Sequence, residues 1–307
     1  MQKRYGGFGV NKLTEQQIET WRREGGVLLE HFFGAEEVRA IQQDFEQVFA
    51  RTKGAATAKQ EAKQHRFDDS QFSSFKPIPL QCSPALNLIG VHPDLIDVAK
   101  TLLAKDKVYL YQCQVWAKYT GDADYNQPFH CDFFNHTLTV PAEDPTNNCV
   151  TILCYFTDVT EAHGPMHYVK RSDSDPLGGV DALLTHPQEL QTQLQQYEQS
   201  SAAPAGSIFP YSIDVFHRGT NLTAPEGVRY AVMACYRAAG DDAIGYHAWQ
   251  YHMNEPWHII FEHASPEQLE VFGVAPPGDP FWTETTLRRA KLRYPNWDQS
   301  IYYAALD

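Results

Sequence analysis

The sequence predicts a mainly β fold with flanking helices, a sandwich or barrel of antiparallel strands set between two helical regions. Three observations predict it. Strand-like runs rich in aromatic and β-branched residues crowd the stretch 108–237 and are parted by Gly, Pro, Asn and Asp. Helical periodicity lies to either side of that stretch, with one helix inside it. No internal repeat, low-complexity tail or long linker divides the chain. At 307 residues it could hold one large domain or two small ones, since single all-β domains reach ~250 residues. The pattern favours one domain over 1–307, with residues 13–105 as an N-terminal flank, 106–240 as the core and 241–307 as a C-terminal cover.

In the flank, residues 14–24 open with Thr14 and carry Gln17 three positions on, a capping box, and Gly25-Gly26 stop the helix. VLLEHFF, residues 27–33, reads as a short strand. Val38, Ile41, Phe45, Val48 and Phe49 then recur at helical spacing. Residues 52–64 have almost nothing to bury and read as a mobile surface segment. A helix follows Pro93. The core strands are 108–119, 127–138, 148–159, 206–216 and 228–237, interrupted by a helix from Pro187. Beyond them, 265–272 and 283–294 read as helices.

Composition limits the partners. A formal net charge of −13 argues against nucleic acid and anionic membranes, both of which call for a basic footprint. No stretch reaches the roughly 18–20 apolar residues that span a bilayer, and the N-terminal residues lack the apolar core of a signal peptide. The six cysteines (82, 113, 131, 149, 154, 235) form no CxxC and sit largely in apolar runs, as free thiols of a reducing cytoplasm do. The composition predicts a cytoplasmic protein that handles a small molecule; it leaves the oligomeric state open.

The chemistry concentrates in QPFHCDFFNHTL, residues 127–138. On a strand His130 and Asp132 share a face, with Cys131 behind them. Two histidines and one carboxylate make the facial triad that leaves three positions open on Fe(II). His217, ending a strand before a turn, is the best third ligand. His136 shares the parity, but six residues of straight strand span about 20 Å, too far for the same metal. His163 and His167 flank Gly-Pro, which disfavours the helix that would pair them. These three histidines read as local hydrogen-bonding or substrate-pocket residues. Arg229 returns across a turn, twelve residues past His217. A guanidinium grips a carboxylate bidentately, as a 2-oxo diacid cosubstrate on iron requires.

With these residues in place, the chain resembles the phytanoyl-CoA dioxygenase family of Fe(II)/2-oxoglutarate-dependent oxygenases. The resemblance runs over about residues 13–240, through FHCD, TDVTEAHGPMHYV, FHRGTNLT and VRYAVMACYR. The ordered set is H-x-D, a histidine about 90 residues later, then the arginine. The resemblance implies a double-stranded β-helix (jelly-roll, cupin-like) core. It implies iron on His130, Asp132 and His217, 2-oxoglutarate on Arg229, O2 as co-reactant, and succinate and CO2 as co-products. It further implies that Gln112 and Lys76 line the cosubstrate site; by residue chemistry alone, Gln112 could instead satisfy backbone groups and Lys76 be solvated. The presence of Asp132, where related halogenating enzymes have Gly or Ala, favours hydroxylation.

The chain departs from the family pattern at His163-Gly164 and at KRSD, residues 170–173, which puts any inherited substrate in doubt. Without a Lys/Arg cluster for its phosphates, an acyl-CoA is a poor first guess. Arg218 is expected to face away from the metal and pair with a carboxylate such as Asp214. Phe129, Phe134, Trp116 and His167 are candidates for the substrate wall. Residues 247–263, with Trp249 among their aromatics, read either as a lid packed on the barrel or as part of the pocket mouth. The rival class is a non-catalytic jelly-roll that binds a metal or small ligand.

Overall fold

Residues 108–119 form the longest strand in the computed structural model, which describes residues 13–49, 75–77, 80, 82–121, 126–238, 258, 261–262, 266, 269 and 274–306. That strand belongs to the larger of two sheets. The strands are β1 (Lys76–Pro77), β2 (Val108–Tyr119), β3 (Val150–Tyr155), β4 (Met166–Tyr168), β5 (Gln199–Ser200), β6 (Ile208–Ser212), β7 (His217–Gly219) and β8 (Val228–Ala238). All pairings are antiparallel, in the orders β1-β2-β8-β3-β6 and β5-β4-β7. The helices are α1 (Glu15–Glu24), α2 (Ala35–Val48), α3 (Pro84–Asn87), α4 (Pro93–Leu103), α5 (Phe133–His136), α6 (Arg171–Ser174), α7 (Gly179–Thr185), α8 (Pro187–Leu194), α9 (Glu284–Arg293) and α10 (Ser300–Tyr303).

The larger sheet has two unlike faces because side chains alternate along each strand. On the outer face Val115, Ala117, Ile152, Cys154, Val232 and Ala234 join one apolar cluster with Trp21 of α1, Phe45 of α2 and Leu95 and Leu102 of α4. Phe45 stacks on Tyr230, ring centroids 4.7 Å apart. On the inner face Leu153, Tyr155, Phe209, Tyr211 and Ala231 meet Met166 and Tyr168 of the smaller sheet. This inner space between the sheets holds the site.

Local chemistry accounts for the flank. The Thr14 hydroxyl accepts the Gln17 amide N–H while the Gln17 side chain accepts that of Thr14, a reciprocal cap that contributes about 1 kcal/mol. Gly25 closes α1 at φ +81°, and a Cβ there would run into Val215. The predicted helices 35–49, 93 onward and 283–294 are present as α2, α4 and α9.

Two predicted strands are corrected. VLLEHFF makes only one isolated bridge, Leu29 with Ile208, following that of Gly26 with Tyr211, because the chain turns at His31, whose φ is +53°. Residues 127–138 bridge at His130 and then leave the extended conformation: Asp132 has φ −65° and ψ −20°, and one turn of helix, α5, follows. That turn buries both Cys131 and Phe133 in a second apolar cluster with Val180, Leu190 and Phe216. Its terminal carbonyls find a donor in Arg293 of α9, whose guanidinium reaches the oxygens of Phe134, Thr137 and Thr139. Residues 52–64 and most of 247–263 and 265–272 lie outside the described residues, Trp249 included.

Candidate metal centre

His130 and His217 are placed by a single backbone bridge. Each donates its amide N–H to the other's carbonyl, at 3.0 and 2.9 Å, so both side chains leave the bridge on the same side. Their rings lie 4.4 Å apart between centroids. Asp132 enters the same space from the first residue of the turn. The ligand atoms of His130, Asp132 and His217 lie within 4.8 Å of one another, and they form the only such group of three among the described residues.

The hydrogen bonds around the three groups fix which atoms face inward. Nδ1 of His130 lies 3.0 Å from the carbonyl oxygen of Pro128, and Nδ1 of His217 lies 3.0 Å from that of Val215. A carbonyl can only accept, so both Nδ1 atoms carry the proton, and in the neutral rings both Nε2 atoms keep a free lone pair. Asp132 divides its oxygens: Oδ2 accepts the Tyr211 hydroxyl at 2.9 Å, while Oδ1 lies 3.4 Å from His217 Nε2.

Electrostatics prepare the same set. Burial, together with neighbouring His217, pushes the His130 imidazole down to about 4, so it is neutral and ready to ligate. Burial alone would raise the Asp132 carboxyl, but His217, His136 and His130 around it hold it well below the usual carboxylate range. Burial would lower His217, yet Asp132 beside it outweighs that and raises it. Two imidazole nitrogens and a carboxylate oxygen converging on one point are a donor set for a divalent first-row metal and fit Fe(II) with open positions.

Arg229 lies on the inner face of β8, and Lys118 of β2 stands directly opposite it. Both are buried, at 6% and 5% relative exposure. An Nη1 of Arg229 faces the His163 carbonyl at 3.5 Å. Met233, whose sulfur lies 3.8 Å from the Tyr211 hydroxyl, is four residues further along β8. That separation is about 13 Å of strand, which an arginine side chain and a five-carbon diacid laid end to end can cover. Lys118 is absent from the residues singled out in the sequence. The signal was there, since Gln112, Gln114, Trp116 and Lys118 share one strand parity and three of the four are polar.

The remaining expected residues sort by face. Gln112 and Trp116 lie on the inner face, with Gln112 accepting from the Cys235 thiol at 3.4 Å. Lys76 is corrected: it pairs with Val115, so it takes the outer parity, and its Nζ sits 5.7 Å over the Phe49 ring. Phe129 is corrected too. It precedes His130 in the bridge, points the other way, and lies beneath the Arg218 guanidinium in the cluster under α7 and α8. His167 pairs across from Arg218 on the face away from the metal and is held between Glu161 and Glu198, at 3.0 and 3.1 Å. Phe134 stacks on Phe133 with Arg293 over its ring, tied into the turn. Arg218 does face away, but its partner is Glu198; Asp214 is taken by Arg171 at 2.6 Å. His136, brought close by the turn, is buried with its Nδ1 3.0 Å from the Tyr111 hydroxyl.

Two facing antiparallel sheets with a His-Asp-His set between them define the non-haem iron oxygenase class. Residues 21–226 match the phytanoyl-CoA dioxygenase (PhyH) family, and the chain belongs to it. It is thus an Fe(II)/2-oxoglutarate-dependent oxygenase by family, with iron, 2-oxoglutarate and O2 as its cofactor set. Among solved structures it is similar to the carbocyclase SnoK from nogalamycin biosynthesis (16% identity, 76% of this chain and 87% of that one, TM-score 0.57). It is also similar to the epimerase SnoN from the same biosynthesis (17%, 73% and 82%, 0.54). A third is EctD from S. alaskensis, solved with 2-oxoglutarate and 5-hydroxyectoine (17%, 77% and 80%, 0.55). At these identities the likeness establishes the jelly-roll fold. No curated protein matches the sequence.

Proposed function

We propose that the chain is an Fe(II)- and 2-oxoglutarate-dependent dioxygenase that hydroxylates a small organic molecule, with succinate and CO2 as co-products. The observation that carries this reading is the commitment of both Nδ1 atoms to backbone carbonyls, which leaves two Nε2 atoms and Asp132 Oδ1 as a three-point, one-sided donor set. Iron bound there, with 2-oxoglutarate and O2, supplies the oxidation; the chain supplies ligands, orientation and a shielded space. His130, Asp132 and His217 would hold the ion. Arg229 would hold the distal carboxylate of 2-oxoglutarate, with Lys118 as a second cation beside it and Gln112 further along the same inner face. Trp116 is an inner-face candidate for the substrate side.

Hydroxylation is favoured because Asp132 fills the carboxylate position instead of leaving it to an anion from solution. SnoN is an epimerase and SnoK a carbocyclase, and EctD holds 5-hydroxyectoine. The fold therefore accommodates several outcomes on small molecules. We read the chain as one catalytic domain and as cytoplasmic. Six free cysteines, five of them buried, support a reducing compartment, and no helix among the described residues is long and apolar enough to cross a membrane.

The test is anaerobic loading with Fe(II) and 2-oxoglutarate while the metal-to-ligand charge-transfer absorption is read, followed by admission of O2. Appearance of the band and O2-dependent succinate support an enzyme. Metal binding with neither would leave the non-catalytic jelly-roll.

A further inference from the structure

Tyr211 touches two members of the metal-ligand set and is not a ligand itself. Its hydroxyl donates to Asp132 Oδ2 at 2.9 Å, and its ring lies 4.8 Å from that of His217, inclined at 55°. It is 2% exposed, on the inner face of β6. Thr151 on β3 is its direct cross-strand neighbour, and the Met233 sulfur lies 3.8 Å from the hydroxyl. Thr151 in turn donates to the Cys235 thiol at 3.6 Å, and that thiol to Gln112 at 3.4 Å. One row across β3, β8 and β2, Thr151–Cys235–Gln112, is thus hydrogen-bonded, and it ends beside Tyr211 on β6.

A carboxylate can bind a metal through one oxygen or through both, and on a one-sided triad the difference decides how many positions stay open. An ion held by both oxygens of Asp132 loses one of the three positions that a bidentate cosubstrate and O2 need. The Asp132 Oδ2 lone pairs are the only means of reaching that second mode, and the Tyr211 O–H occupies one of them. Rotating Oδ2 toward the ion would break a buried hydrogen bond to a charged acceptor and leave the hydroxyl only the weakly accepting Met233 sulfur.

We propose that Tyr211 is a positioning residue that holds Asp132 in one-oxygen coordination through Oδ1 and so keeps three metal positions open. This rests on the metal-centre reading above, and the test separates the two. Co(II) is titrated into wild-type protein and into Tyr211→Phe, which keeps the ring and removes only the hydroxyl; affinity and the d–d absorption are recorded. Tyr155→Phe is the control. It removes another buried inner-face hydroxyl, one bonded to Ser201 and the Met166 amide rather than to a ligand.

The expected result is a roughly 10- to 100-fold weaker Co(II) affinity in Tyr211→Phe, the usual effect of losing an outer-shell partner. A weaker, shifted d–d spectrum, as a second Asp132 oxygen raises the coordination number, should accompany it. Tyr155→Phe should lower the melting temperature and leave both readouts at wild-type values. Unchanged affinity and spectrum in Tyr211→Phe overturn the proposal. So does a metal-loaded wild-type crystal structure with both Asp132 oxygens on the ion, whether or not the variant folds. Should the wild type bind Co(II) no better than His130→Ala, the metal centre itself fails, a different result from either.

Discussion

Replacing Arg229 with Gln removes one of two cations that face each other across β2 and β8, Arg229 and Lys118. Both are buried, so a diacid held there would be largely stripped of water. Losing one partner of a buried charged pair costs about 2–5 kcal/mol. Lys118 survives directly opposite, which sets the loss near the lower end, about 2–3 kcal/mol, or roughly 30- to 150-fold in Kd. The assay is an anaerobic titration of 2-oxoglutarate into Fe(II)-loaded protein, followed by the charge-transfer band. Metal affinity without the diacid should stay at the wild-type value, and the Lys118→Met, Arg229→Gln double variant should weaken the diacid further than either single change. An unchanged titration in Arg229→Gln would mean that another residue holds the carboxylate. An equal loss of bare-metal affinity would mean that the substitution acts through the fold.

Three further outcomes are expected. His130→Ala and Asp132→Ala should each lose the metal, read by metal analysis after gel filtration; full occupancy in either removes the triad from consideration. Metal affinity should rise with pH, because the proton that Asp132 stabilises on His217 must leave before Nε2 can ligate. Below the raised His217 value binding should release about one proton, measured by calorimetry in two buffers of different ionisation enthalpy. In the metal-free protein the sign reverses: the His217–Asp132 pair stabilises below the pKa of an unfolded histidine, and that contribution is lost as pH rises through the raised folded value. It is lost again at low pH only as Asp132 protonates, below the usual carboxylate range. Finally, Arg293→Ala strips the donor from three carbonyls around α5 and should cost about 2–4 kcal/mol. That is roughly 3–6 °C in melting temperature for a chain of this size; no shift would mean that water replaces the guanidinium without loss.

The strand and helix runs were legible because each announces its face locally. β2, β3, β6 and β8 are strand-like runs parted by Gly, Pro, Asn and Asp, α2 repeats at helical spacing, Pro93 opens α4, and Thr14 with Gln17 writes the start of α1. The stretch after His130 was not legible. Its aromatics suit a strand, and what turns them into α5 comes from elsewhere: an apolar cluster under α7 and α8, and Arg293, 160 positions beyond Phe133. The i, i+2 argument paired His130 with Asp132 for the wrong reason, since Asp132 arrives by a helical turn. The exclusion of His136 rested on a straight strand that does not exist, although His136 is engaged with Tyr111 and stands outside the ligand set. Lys76, Phe129 and His167 failed on register. Parity within a strand can be read from sequence, but which parity faces the cavity depends on the partner strand. Tyr211 carried no local mark, because Phe209 and Tyr211 in an alternating run look like any pair of core aromatics.

The face that does chemistry can be told from the face that only packs by what each buries. Outer-face positions of β2, β3 and β8 hold Val, Ala, Ile and Cys against α1, α2 and α4, where each buried apolar Å2 contributes about 25 cal/mol. The inner face of the same strands buries Gln112, Lys118, Thr151 and Arg229. Apolar residues there would stabilise the sheet more simply, since a buried polar group left unmet costs about 1–3 kcal/mol. Part of the set is met internally, through the Thr151–Cys235–Gln112 row and, beside it, the Tyr211 hydroxyl on Asp132. Lys118 and Arg229 add two like charges that repel each other across adjacent strands, and Nη1 of Arg229 also donates to the His163 carbonyl at 3.5 Å. An anion placed between them turns that repulsion into binding energy. A diacid bound between the two cations would answer that repulsion, which is why the proposed reading places the distal carboxylate of the cosubstrate at this end of the inner face.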